Sequence, residues 1–168
     1  MSAPRLVRWL ALATGACAAT PAPAPAIANR PADPVGAATS EILAANRRLD
    51  ERARAEFRTR SAGELPYRPW LGTCDRAADV AWCAALDEVR YGTVYDVTFT
   101  VVHVDRSGIA VRAPEPVRFN LVAFNLTASR DGTAADVLLT SEGPERDYDA
   151  AIRYVWDGAR VRVEPASE

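Results

Sequence analysis

The chain has 168 residues, with 20 basic against 22 acidic side chains and a single histidine, for a net charge of −2. That length suits one domain with one core, and the balance argues against nucleic acid as a partner. All 20 basic residues are arginine, and the three cysteines stand at Cys17, Cys74 and Cys83.

Arg5 and Arg8 are the only charges before Arg30, and an apolar run of twelve residues, 9–20, follows them. The run is shorter than the roughly 20 residues a membrane-spanning helix needs. A basic start, a short apolar run and a small-residue exit make the pattern of a secretory signal. Two exits fit. Ala26-Ile27-Ala28 offers a cleavage site before Asn29, and Thr14-Gly15-Ala16-Cys17 resembles the lipobox of bacterial lipoproteins, in which the cysteine is acylated. The expected organisation is a signal peptide over residues 1–28, or a lipoprotein signal ending at Cys17, then a Pro/Ala-rich linker over 29–38 and a single domain over 39–168. Removing 28 residues leaves 140, with 18 arginines against 22 acids and a net charge of −4. The expected location is the periplasm or the exterior, with membrane attachment through Cys17 on the lipoprotein branch.

In the segment "TSEILAANRRLDERARAEFRTR", residues 39–60, Ile42, Ala45, Leu49, Ala53 and Phe57 recur every three or four positions, which predicts a helix capped by Thr39 or Ser40. Its other face carries six arginines, Arg47, Arg48, Arg52, Arg54, Arg58 and Arg60. The pairs Asp50/Arg54, Arg52/Glu56 and Glu56/Arg60 are spaced to support an exposed helix, so a solvated face is expected. The connector "GELPYRPWLGTC" follows, its two prolines barring regular helix. Tyr67 and Trp70, with Arg68 between them, are the candidate binding residues, either as an aromatic contact surface or as a cover over the edge of the core.

In "CDRAADVAWCAALDEVRYG", Ala78, Ala81, Trp82, Ala85, Leu86 and Val89 again fall at helical spacing. Exported proteins oxidise leftover cysteine pairs, so Cys74 and Cys83 are expected to form a disulfide. An unbroken helix would separate them by about 13.5 Å along its axis, too far for the bond. The helix is therefore expected to begin late, at an Asp79 cap, with 74–78 folding back as a turn.

From Thr93 onward the apolar period becomes two. "TVYDVTFTVVHV" sets Tyr95, Val97, Phe99, Val101 and His103 on one face. "IAVRA" follows, then "VRFNLVAFNLTA", apolar on both faces and read as a central strand. "ADVLLTSE" comes next, and a last hairpin is closed by Asp157-Gly158. The expected fold is α+β, two N-terminal helices packed on one face of an antiparallel meander of about six strands.

Catalytic chemistry has little to stand on. His103 is the only histidine and lies on the core side of a strand, which reads as a buried structural residue. No phosphate-binding glycine loop, HExxH or complete calcium loop occurs, although Glu142, Glu145, Asp147 and Asp149 cluster in one connection. No metal or cofactor is expected. A carboxylate pair acting on glycans has no sequence signature and stays open. The expected function is a non-enzymatic binding or inhibitory module with a protein partner in the envelope. The alternatives are a structural outer-membrane lipoprotein and a carboxylate-dependent hydrolase.

Overall fold

The computed structural model describes residues 31–62, 72–92, 95–120, 123–141 and 148–165. One helix, α1 (Pro34–Arg60), is followed by nine strands: β1 (Cys74–Ala77), β2 (Val80–Tyr91), β3 (Tyr95–Val104), β4 (Ala110–Arg112), β5 (Val117–Asn120), β6 (Ala123–Ala128), β7 (Ala134–Ser141), β8 (Tyr148–Trp156) and β9 (Val161–Pro165). The class is α+β, but the expectation of two helices and a single sheet of about six strands is corrected to one helix and two antiparallel sheets. The first sheet runs β1-β2-β3, with β4 and β5 sharing the far edge of β3, and the second runs β6-β7-β8-β9.

The helix begins five residues before the expected Thr39, so residues 34–38 are helical and not linker. Its cap is Asp33, whose carboxylate accepts from Gly36 N–H at 3.0 Å. Pro34 takes the first helical position, where its missing N–H is no loss. Of the anticipated pairs on the helix, Glu56/Arg60 forms at 3.0 Å on the exposed face, whereas Asp50/Arg54, also at 3.0 Å, does not lie on a solvated face as expected, because Asp50 is buried against the sheet.

The second expected helix is a hairpin. β1 and β2 pair antiparallel from Ala77↔Val80 out to Cys74↔Cys83, joined by Ala78 and Asp79. Ala78 holds a left-handed φ of 51°, which an L side chain adopts at a cost. The disulfide joins Cys74 to Cys83 directly across the two strands, with Cα atoms 4.0 Å apart. Ala84 N–H bonds Thr73 C=O just beyond, so the cysteines occupy a non-hydrogen-bonded pair, where side chains come closest.

Three layers result. On one face of the first sheet, Ala81, Cys83, Ala85, Val102 and Val104 pack against Val35, Ala38 and Ile42 of α1. On the other face, Trp82, Ala84, Leu86, Val97, Phe99 and Val101 meet Leu126, Val137, Leu139 and Tyr154 of the second sheet. Small side chains under the helix allow close approach, and each large one buried between the sheets stabilises by roughly 1.5–3 kcal/mol. The second half of α1 passes over the edge of β2 that β1 leaves uncovered, adding Leu49, Ala53 and Phe57 to the intersheet core.

The run 117–128, read as one central strand, is two strands in different sheets: β5 pairs with β3 and β6 with β7. The remaining strands after Thr93 fall where the alternation placed them. Among the described residues no helix is long and apolar enough to cross a membrane.

Candidate functional site

The buried polar groups gather where α1 crosses the edge of β2. Asn46, 1 % exposed, turns its side-chain amide to that edge. Its Nδ2 donates to Ala84 C=O at 2.9 Å, and its Oδ1 accepts from Leu86 N–H at 2.8 Å. One side chain thus supplies the donor and acceptor that a further strand residue would have offered. Gly72 lies against this contact with φ +77°; a Cβ there would stand 2.2 Å from Asn46 Nδ2 and 2.7 Å from Ala84 O, which leaves room only for glycine.

One turn further along the helix, Asp50 is 2 % exposed. Its Oδ1 accepts from Tyr91 O–H at 2.6 Å and from Tyr95 O–H at 3.4 Å, while Arg54 Nε lies 3.0 Å from its Oδ2. Arg54 Nε also donates to Tyr91 OH at 3.3 Å. Tyr91 and Tyr95 face each other across β2 and β3, and Phe57 packs on the Tyr91 ring. A buried carboxylate is tolerated only with such partners. Burial, reinforced by the bond to Asp50, pushes the Tyr91 phenol up to about 12, Arg54 opposing. Burial raises Tyr95 as well, with the charges of Tyr91 and Asp50 adding to it. The Arg54 guanidinium is raised chiefly by its bond to Tyr91. Both phenols therefore keep their protons at neutral pH and serve as donors, so the cluster anchors the helix to the β2/β3 hairpin.

An open cleft of about 430 Å³ lies beside it, lined by Ala53, Glu56, Arg60, Glu88, Val89, Arg90 and Tyr91. Its charges neutralise one another, Arg60 with Glu56 at 3.0 Å and Arg90 with Glu88 at 2.7 Å. Such a polar, self-paired wall lacks the apolar lining typical of small-molecule pockets.

His103 is buried between the sheets, 1 % exposed, opposite Trp82 on β2. The Trp82 ring meets it edge-on at 4.8 Å and the Trp156 ring of β8 stacks on it at 4.4 Å and 13°. Neither imidazole nitrogen has a well-formed hydrogen bond. Burial holds its pKa below the usual 6.5, against weaker upward pulls from the Asp105 charge and the Gly132 backbone.

Of the residues picked from sequence, His103 occupies the buried place expected of it, and Cys74 and Cys83 are joined. Tyr67, Arg68, Trp70 and Cys17 lie outside the described residues, as do Glu142, Glu145 and Asp147 of the acidic connection. Among the described residues no group of three His, Cys, Asp or Glu side chains is placed to hold a metal ion. The Asn46 and Asp50 contacts went unread because they join residues 38 to 45 positions apart; the one trace in the sequence is a polar residue at positions 46 and 50 beside the helix's apolar stripe. No protein-family model matches the chain, and comparison with curated proteins and with solved structures finds no similar protein.

Proposed function

We propose that the chain is an exported envelope protein that acts as a non-enzymatic binding or inhibitory module on a periplasmic or secreted protein. The observation that carries this reading is the Cys74–Cys83 bond, a cross-link that suits an oxidising compartment. The export pattern of residues 1–28 agrees with it, and so does the use of the buried polar side chains. Asn46, Asp50, Tyr91 and Tyr95 are all engaged in holding the helix to the first sheet.

The test is affinity capture on the mature protein from envelope extract of the producing cell, followed by titration of the captured partner. A single protein bound at fixed stoichiometry is the expected result. Hydrolysis of cell-wall glycan by the purified protein would overturn the reading in favour of a carboxylate-dependent enzyme. A diacylglycerol mass on Cys17 with no captured partner would overturn it in favour of a structural lipoprotein.

A further inference from the structure

His103 has both ring nitrogens buried with no hydrogen-bond partner. It also sits on the seam between the two sheets. It belongs to β3 of the first sheet, while Trp156 on β8 and Gly132 in the β6–β7 turn come from the second. The Gly132 carbonyl already accepts from Trp82 Nε1–H at 2.9 Å. Gly132 itself has φ +74°, and a Cβ on it would stand 2.2 Å from Val80 Cγ2, so this turn is pressed against β2 with no slack.

We infer that His103 is an acid-sensitive latch between the sheets: uncharged, it packs as an aromatic ring that holds β3 against β8 and the β6–β7 turn, and its protonation loosens that seam.

The neutral ring already leaves one donor and one acceptor unpaired, but the imidazolium adds a second N–H donor and a charge to a site whose nearest acceptor, the Gly132 carbonyl, is already bonded to Trp82. Of the nearby carboxylates the Asp105 charge acts on it, more weakly than burial does. Asp105, on the same chain segment, accepts from Ser107 N–H, Ser107 Oγ and Ile109 N–H in its own loop. Asp131, beside Gly132, is exposed and held by Ser129 and Thr133. Asp157, next to Trp156, is exposed and caps its own turn at Ala159 and Arg160 while pairing with Arg162. Arg130, in the same turn as Gly132, is exposed and would repel the cation. From β2 and β4 the neighbours are Trp82 and Val111, both uncharged. Attraction between the cation and the Trp156 face offsets only part of the lost hydration. The latch also has the pH range to itself, since His103 is the only histidine and Cys74 and Cys83 are oxidised. A periplasmic or secreted protein meets the pH of the surrounding medium, which is where such a latch would be exercised.

If the closed seam excludes the proton and the open seam accepts it, the opening equilibrium rises about tenfold per pH unit below 6.5. The experiment is amide hydrogen exchange of the purified protein at pH 7.5 and pH 5.0, corrected for the intrinsic pH dependence of exchange, with an NMR titration of the imidazole alongside. The seam reporter is the Trp82 indole N–H, which bonds Gly132 C=O across the two sheets and whose exchange is followed in the same NMR spectra, and the reference is Leu86 N–H, held by Asn46. The expected result is a roughly 30-fold loss of protection at the seam by pH 5.0, little change at Leu86, and no loss in His103→Phe. An equal loss in His103→Phe, or an imidazole that titrates near its ordinary value while the seam stays protected, would overturn the proposal. Should His103→Phe fail to fold, the wild-type titration still decides: the imidazole and the seam must change over the same pH range, and a mismatch refutes the latch.

Discussion

Replacing Asn46 is the sharpest test of how the helix is fixed to the sheet. The side chain satisfies Ala84 C=O at 2.9 Å and Leu86 N–H at 2.8 Å, both on a buried edge where water has no access. Asn46→Ala leaves both backbone groups unpaired, at about 1–3 kcal/mol each, for a loss of about 2–6 kcal/mol. That is a large fraction of the roughly 5–15 kcal/mol holding a domain folded. Asn46→Asp separates hydrogen bonding from shape. An ionised carboxylate can accept from Leu86 N–H but only opposes the Ala84 carbonyl, whereas the protonated acid can donate to that carbonyl and restore both bonds. The folded protein therefore raises the pKa of the introduced carboxyl above the usual value of about 3.9. The restored stability is fully present below that value and is lost as pH rises through the folded pKa. Urea unfolding at a series of pH values, each compared with wild type at the same pH, measures it. The expected gap is wide at pH 7 and narrows toward pH 4. A loss below 1 kcal/mol in Asn46→Ala, or an Asn46→Asp gap that does not narrow on acidification, would refute the strand-mimic reading.

Ala78→Gly relieves the left-handed φ of 51° in the β1–β2 turn and should raise stability by about 0.5–1 kcal/mol by thermal or urea unfolding; a decrease would mean that the turn is not strained there. The double variant Cys74→Ala/Cys83→Ala should lose about 2–3 kcal/mol, and the mature wild-type protein should show no free thiol when titrated in denaturant without reductant. Tyr91→Phe removes a donor to a buried carboxylate, a loss of about 1.5–3 kcal/mol at neutral pH. Because the folded phenol sits at about 12 against the ordinary 10, its contribution is complete below pH 10 and is lost as pH rises toward 12. The alkaline slope of stability should therefore be shallower in Tyr91→Phe, though not flat, because burial raises Tyr95 and Tyr154 as well.

Alternation and turn chemistry made most of the second half of the chain legible. β7 buries every other side chain from Ala135 to Leu139, β3 does so from Tyr95 to Phe99 before both its faces are covered, and the β8–β9 hairpin turns at Asp157-Gly158, where Gly158 has φ +94°. The strand 117–128 misled because apolar residues on both faces look the same whether a strand is central or the chain crosses from one sheet to the other. At the other end, the Asp33-Pro34 start of the helix was present as a local signal, but it stood in a proline-rich tract that reads as linker. The polar anchor was hidden for a different reason. That Asn46 would meet β2, and Asp50 both β2 and β3, depends on where the helix crosses the sheet edge, which no local pattern encodes.

The segment 74–91 is more instructive, because its period was measured correctly and still gave the wrong element. Residues 81–86 are all buried, alternate side chains facing the helix and the second sheet. A strand covered on both faces is apolar at every position, so spacings of three and four can be drawn through it at will. A bulge at Asp87 then shifts the register between Leu86 and Glu88, so the intersheet face reads Trp82, Ala84, Leu86, Val89, Tyr91. The step of three from Leu86 to Val89 imitates a helical repeat but marks the extra residue of the bulge. Asp87, freed from the alternation, takes Arg112 at 2.6 Å and the Thr100 hydroxyl on the strand's outer side. The cysteine spacing narrowed the choice without settling it. Two cysteines nine positions apart can be joined across a hairpin whose two-residue turn is centred midway between them, which falls on Ala78-Asp79. A helix starting late at Asp79 satisfies the same distance. The helical spacing of Ala78, Ala81, Trp82, Ala85, Leu86 and Val89 weighed toward the helix, whereas the bond, the bulge and burial on both faces are all accounted for only by the hairpin.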